Sequence, residues 1–343
     1  MKNTFNQFLV NDFSANSTFL KNHFGFLPSI NKVVNTENPS NIIGKTDCIV
    51  NFYRLNDIRF INKFLEVINQ KLSIDNTFIC CAETFTARRH RKKINNIPIV
   101  RNIYFGFEFV FMRIFPKVKF FKFFYFKITK GKNRLLSKAE ILGRLVSCGF
   151  DIVDYKNIDG LLFVVSKKKR TPSFDMNPSY GPIYKMPRVG KSRKIIHVYK
   201  LRTMHPYSEY LQDYIFKKNG SLNGDKITND FRVSPLGRFF RRIWIDELPM
   251  IINLLKGEIK LVGVRPLSIS KFNTYPKEIQ DLRSKFKPGL VPPFYADLPN
   301  NFDELVLSEK NYLNKYIKKP FLTDLKYFFK AFYNILFRGF RSK

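Results

Sequence analysis

From residue 167 to residue 182 the chain reads KKKRTPSFDMNPSYGP, a composition that no helix or strand runs through. Pro172, Pro178 and Pro182 each remove a backbone donor, and the Ser, Asn and Gly around them favour turns. A domain boundary belongs there. The 343 residues are enough for two hydrophobic cores, so the chain is expected to fold as two domains, 1–168 and 169–343.

Ahead of that boundary the pattern alternates between strand and helix. Asp47 to Tyr53 and Thr77 to Ala82 read as short buried strands, and Leu55 to Leu72 between them as a helix. Ser137 and Glu140 form a capping box that opens a helix running to about Cys148, and residues 149–153 and 160–165 read as two more strands. A small α/β domain is implied. Its order loosely resembles the second half of a class I methyltransferase, where a helix leads into a "GF-x-V" strand. The glycine-rich loop that would cradle a nucleotide cofactor is missing from this region, so a non-catalytic regulatory or docking role is expected for it.

Sixty Lys and Arg against 27 Asp and Glu give a net charge of +33, which favours polyanions: nucleic acid, anionic lipid or nucleotide substrates. With 44% hydrophobic and 16% aromatic residues, the chain is globular rather than disordered. Cys48, Cys80, Cys81 and Cys148 show no metal-type spacing and read as buried thiols of a reducing compartment. The first residues, 1–4, open no signal-peptide pattern, and no run of about 18 apolar residues predicts a spanning helix. Two segments are nonetheless suited to a membrane surface. One is the aromatic and basic stretch from Ile103 to Lys127, which Pro116 should split. The other is a C-terminal helical stripe of Leu325, Phe328, Phe329, Phe332, Ile335 and Leu336, with Lys326 and Lys330 off it. A core-facing helix has the same period, so that stripe also fits a helix docked on the protein's own core.

Beyond the boundary, Arg238, Arg241 and Arg242 run into the carboxylates Asp246 and Glu247. Guanidinium groups bind phosphate, and a carboxylate can hold a divalent ion or attack phosphorus. Leu248, Ile251, Ile252 and Leu255 then recur with helical spacing, which predicts a helix with Asp246 as its N-cap, kept ionised by the helix terminus. A plainer reading makes Asp246 only a cap and Arg242 to Asp246 only an ion pair one turn apart. The strand from Val198 to Met204 carries Lys200 and Arg202 on one side of its pleat, a pair able to grip a pyrophosphate.

Five motifs appear in order: GP followed by R-x-G from Gly181 to Gly190, K-x-R-T-M from Lys200, L-G-x-x-x-R-R-x-x-x-D-E-L-P from Leu236, L-V-G-x-R-P from Leu261, and K-P-G-L from Lys287. Together they resemble the bacterial sugar transferases, the monotopic polyprenyl-phosphate glycosyl-1-phosphate transferases, over roughly residues 178 to 340. The resemblance implies an α+β catalytic domain of short strands and amphipathic helices, hence an α/β chain overall. It implies a two-step reaction. Asp246 attacks the β-side phosphate of a UDP-sugar and releases UMP, and polyprenyl phosphate then takes the sugar-phosphate. It assigns Asp246 and Glu247 as catalytic and as ligands of Mg²⁺, and Lys200, Arg202, Arg241 and Arg265 to substrate phosphates. Arg238, Arg242, Pro266 and Lys287 are given supporting places. It further implies a peripheral or monotopic location on the cytoplasmic face of a bacterial inner membrane, with an anionic membrane surface as partner and self-association allowed.

The chain departs from that pattern twice. Residues 167 to 180 are polar and basic where the family carries an apolar re-entrant helix, and Val291-Pro292-Pro293-Phe294 follows K-P-G where small residues and a glutamine are usual. The competing readings are a nucleic-acid-binding protein, for which no RRM, KH, helix-turn-helix or zinc pattern is present, and a degenerate scaffold of the same family.

Overall fold

The computed structural model of the protein describes residues 21–25, 32–42, 44, 46–174, 181–219 and 230–338. Residues 1–4, and with them the expectation about a signal peptide, lie outside these, as do residues 175–180 of the expected linker. The chain forms two compact units, one of Met1–Tyr180 with Met204–Arg232, the other of Gly181–Thr203 with Val233–Lys343.

The first unit is built on a five-stranded sheet of β1 (Lys32–Val34), β2 (Thr46–Asn51), β3 (Leu72–Ala82), β4 (Phe150–Ile158) and β5 (Leu161–Lys168), in the order β1-β2-β3-β5-β4. The first three strands are parallel, and β5 runs antiparallel to both β3 and β4. The expected helix from Leu55 to Leu72 is instead a 3-10 turn at Leu55–Asp57 followed by α1 (Ile61–Lys71). Asn56 explains the interruption. Its buried side chain accepts from Glu83 N at 2.7 Å and donates to the carbonyls of Glu83 and Arg134 at 2.8 Å, tertiary bonds that fix this turn against distant backbone and satisfy the buried amide.

After α2 (Phe85–Arg91) comes a helical hairpin: α3 (Pro98–Phe109), a π turn at Val110–Ile114, a 3-10 turn at Phe115–Lys117, and α4 (Lys119–Thr129). The break falls at Pro116, as its missing donor requires. In α5 (Lys138–Ser147), Ser137 caps Glu140 N as expected, while the Glu140 carboxylate turns to Arg113 and Arg144. The four cysteines are free and buried, and burial pushes the thiols of Cys48, Cys81 and Cys148 up to about 12.

Residues 204–232, which the expected boundary after residue 168 gives to the second domain, pack with the first unit. Tyr207 and Leu211 are buried there, and the Tyr207 hydroxyl accepts from Asn62 at 2.9 Å and from Arg144 at 3.3 Å. This segment adds α6 (Gln212–Asn219) to the unit.

The second unit has two small sheets. β6 (Ile183–Val189) and β7 (Ile195–Leu201) form an antiparallel hairpin with Tyr184 opposite Lys200, and β8 (Lys260–Val262) lies parallel to β9 (Gly289–Val291). The glycine of K-P-G-L is explained by the second pair. A Cβ on Gly289 would lie 2.1 Å from Gly263 N, so only glycine lets the strands approach. The helices are α7 (Pro235–Arg242), α8 (Met250–Leu255), α9 (Ile269–Asn273), α10 (Lys277–Ser284), α11 (Phe294–Asp297), α12 (Phe302–Lys318) and α13 (Pro320–Leu336). Val262, Val264, Tyr295, Tyr312, Tyr327 and Ala331 form the core between them.

α13 docks one face on the protein's own core and leaves much of the expected stripe exposed. Thr323, Tyr327, Ala331 and Asn334 are its buried face, with Phe328 and Ile335 partly covered, while Leu325, Phe329, Phe332 and Leu336 point outward. No helix among the described residues is long and apolar enough to cross a membrane.

Candidate active site

The carboxylate pair sits in a tight corner of the second unit. Ser234 caps α7 by accepting from Gly237 N, and the helix ends at Arg242. The chain then reverses through Trp244, which adopts a left-handed conformation with φ 59°. Such a backbone is disfavoured for a non-glycine residue and persists only where its surroundings hold it. Here the indole packs on Tyr295 with ring centroids 4.9 Å apart.

Asp246 and Glu247 follow inside a single 3-10 turn, Ile245–Glu247, and α8 begins only at Met250. Asp246 is therefore not the N-cap of a helix, and the helix terminus does not hold it ionised. Its carboxyl is instead raised above the usual aspartate range, first by burial and second by the charge of Glu247, with Lys200 and Arg241 pulling in the opposite direction. The plainer ion-pair reading also fails, because Arg242 ends one helix and Asp246 lies beyond the reversal at Trp244, not one turn further along it.

The apolar stripe expected to anchor α8 is turned around. Leu248, Ile251, Ile252 and Leu255 are exposed, and the buried residues of the helix are Met250 and Asn253. Asn253 decides this orientation. Its amide accepts from Tyr199 N at 3.0 Å and donates to His197 O at 2.8 Å and Glu258 at 2.5 Å, so the buried amide is fully satisfied against β7. No motif pointed to it; the signal was a lone amide inside the run from Met250 to Leu255. Leu236, Phe239 and Ile243 of α7 and the residue after it are exposed as well, so the acid pair lies among outward-facing apolar side chains.

Of the cations expected here, two meet the pair. Lys200 donates to Glu247 Oε1 at 2.5 Å, and Arg241, whose Nε donates to Thr203 Oγ1 at 2.9 Å, acts on Asp246. Arg202, one residue beyond the end of β7, instead donates to Gly181 O at 3.0 Å and lies over the Tyr184 ring. Arg265 is exposed beside the Phe294 ring, with Pro266 buried next to it and its own carbonyl held by Arg283 at 2.6 Å. Arg238 donates to Val233 O, Arg242 is exposed, and Lys287 is exposed close to Gly257.

Arg188, the arginine of the R-x-G motif, is given no role by the sequence and is a neighbour of Arg265. Val189 N donates to Leu267 O at 2.9 Å, which joins β6 to the turn after Arg265. Burial lowers the Arg188 guanidinium and the like charge of Arg265 lowers it further. Two adjacent guanidinium groups are an arrangement that a bridging phosphate relieves.

Among the described residues no group of three or more His, Cys, Asp or Glu could hold a metal ion. The two adjacent carboxylates are the available oxygen donors. Mg²⁺ commonly takes one or two carboxylates and fills its shell with water and substrate phosphates, so this donor set fits it. The repulsion that raises Asp246 is what a cation between the two groups would offset.

The geometry gives a direct test of the Lys200 contact. Lys200→Met removes a charge that favours the ionised form of Asp246, so the carboxyl should rise further. The acid limb of the pH–rate profile should then move to higher pH; an unchanged limb would detach Lys200 from the site.

Comparison with known proteins places these residues in context. The sequence profile of the bacterial sugar transferases matches residues 174–338. The galactosyl transferase CpsE of Streptococcus agalactiae is 34% identical over 142 residues, 40% of this chain and 31% of that protein. The undecaprenyl-phosphate galactose phosphotransferase of Salmonella typhimurium is 32% identical over 129 residues, 36% of this chain and 27% of that protein. The UDP-glucose:undecaprenyl-phosphate glucose-1-phosphate transferase of Escherichia coli is 36% identical over 116 residues, covering 33% and 23%. The matched segments thus span only 23% to 31% of the length of these relatives. Residues 174–338, which contain the acid pair, its cations and the turn at Arg265, belong to the bacterial sugar transferase family.

Proposed function

We propose that the protein transfers a sugar-1-phosphate from a UDP-sugar to a polyprenyl phosphate. The observation that carries this reading is the half-buried Asp246 carboxyl, set between Lys200 and Arg241 at a surface whose neighbouring side chains are apolar and outward. A nucleophile for phosphorus, cations for its oxygens and an apolar surround for a lipid-borne acceptor then occur together. The names of the relatives, which specify galactose or glucose phosphates and undecaprenyl phosphate, point the same way.

In the proposed first step an Asp246 carboxylate oxygen bonds to the β-phosphorus as the bond to the bridging oxygen breaks, and UMP leaves with that electron pair. Lys200 and Arg241 offset charge on the non-bridging oxygens, which is the main catalytic demand of phosphoryl transfer. In the second step an oxygen of polyprenyl phosphate attacks the same phosphorus and the aspartyl oxygen departs, restoring the carboxylate. The raised Asp246 carboxyl is consistent with this use, since a more basic carboxylate is a better nucleophile once ionised. Mg²⁺, held by Asp246 and Glu247 with substrate oxygens, would supply further charge neutralisation when bound. Arg265 with Arg188 is the second place for a substrate phosphate.

The acceptor is membrane-borne, and α13 offers the second unit a way to meet it. Its outward Leu325, Phe329, Phe332 and Leu336 suit the boundary between headgroups and acyl chains of an anionic membrane at the cytoplasmic face. Radiolabel supplied as a panel of UDP-sugars with undecaprenyl phosphate should pass into an organic-soluble product with one preferred donor and release UMP. No extractable label with any donor, from folded protein in lipid, would refute the proposal.

A further inference from the structure

The helical hairpin of α3 and α4, in the first unit, is inside out. Two of its charged residues, Glu108 and Arg113, face the body of the unit. Glu108 is buried and accepts from Arg88 at 2.9 Å and Lys92 at 2.6 Å, while Arg113 donates to Glu140 at 2.5 Å and to Leu135 O at 2.8 Å. The connection between the two helices packs back on α4 through Phe111 with Tyr125, centroids 5.7 Å apart, and Phe115 stacked on Phe121 at 4.5 Å. Left outside are Ile99, Ile103, Phe107, Phe120, Phe123 and Ile128, each between 67% and 76% exposed. A soluble surface seldom carries so many large apolar side chains together, and such a patch marks a contact with something apolar.

The charge around the patch identifies what that is. Residues 97–132 hold eight Lys or Arg and one acid, and the acid is the buried Glu108. Lys122, Lys127 and Lys130 are exposed at or beside the aromatic face, and Lys132, just past it, pairs with the exposed Glu37 at 3.6 Å; within residues 97–132 every exposed charge described is positive. Phenylalanines able to enter the acyl boundary, with lysines able to reach phosphate headgroups, complement an anionic bilayer. We infer that the α3–α4 hairpin is a membrane-docking surface that lays the first unit on anionic lipid. The unit thereby holds the chain at a bilayer by a surface separate from the sugar transferase region. This inference stands apart from the transfer chemistry, since binding alone tests it.

The four native thiols are buried, and burial raises three of them to about 12, so a cysteine introduced on the surface can be labelled selectively. Full-length Phe123→Cys carrying a nitrobenzoxadiazole label should show a blue-shifted, brighter emission with vesicles of equal parts phosphatidylcholine and phosphatidylglycerol. A label at Ile74→Cys, exposed on β3 of the same unit, should not respond. Lys122→Glu with Lys127→Glu should weaken vesicle partitioning by an order of magnitude or more, at roughly fivefold per lysine removed. The inference is overturned if the position 123 label keeps its aqueous emission while the protein floats with the vesicles, or if the protein does not float. It is equally overturned if pure phosphatidylcholine serves as well, or if the shift appears without vesicles as the protein self-associates.

Discussion

Asp246→Asn is expected to abolish transfer while leaving the protein at least as stable as before. The amide has nearly the shape of the carboxyl but cannot form the bond to phosphorus, so turnover should fall at least about a thousandfold, the scale on which removing a nucleophile is felt. Stability should move the other way. Burial and the Glu247 charge raise the Asp246 carboxyl in the folded state. A carboxyl raised on folding binds its proton more tightly in the native protein, so the native state gains relative stability as pH falls. Conversely, it loses stability as pH rises from the unfolded to the folded ionisation range, and above that range the cost is constant. The asparagine variant is free of that cost, so its thermal midpoint at neutral pH should equal or exceed the wild type's. Retained label transfer in the folded variant would refute the nucleophile; lost transfer with a lowered midpoint would indicate structural damage instead.

Gly237→Ala should be the most damaging small substitution in the second unit. In an open helix the change helps by about 1 kcal/mol, because alanine is the better helix former. Here the added Cβ would lie 1.9 Å from Thr203 O and 2.6 Å from its carbonyl carbon, a backbone obstacle that cannot rotate away. Overpacking of this kind costs about 3 kcal/mol, so the clash decides the sign. α7 must lift from Thr203, whose hydroxyl accepts from Arg241. Urea unfolding should show a lower midpoint, with activity lost as Arg241 is displaced; an alanine variant as stable as wild type would contradict the close approach.

Some of this was legible in residue order because local rules decided it. The capping residue Ser137, the break at Pro116 and the strands from Asp47 and Thr77 each follow from donors, caps or hydrophobic runs that act over a few residues. The motif order was legible for a related reason, since the glycines at 237 and 289 stand where backbones nearly touch. The role given to Asp246 as a helix cap failed because one left-handed residue, Trp244, is held by packing on Tyr295, a partner some fifty residues away in sequence. Likewise Arg202 was spent on Gly181 and Tyr184, which no spacing around it announces.

The sequence by itself determined which chemical groups are available: an adjacent carboxylate pair, the cations before and after it, and aromatic segments mixed with lysine. Tertiary structure decided which way they face. A helical period says only that apolar side chains share one side, and α8, α13 and the α3–α4 hairpin all turn much or most of that side outward. The physical reason is that buried polar groups must be satisfied. Asn253, Asn334 and Glu108 each find their partners in the interior, and by doing so leave the apolar faces of their helices exposed.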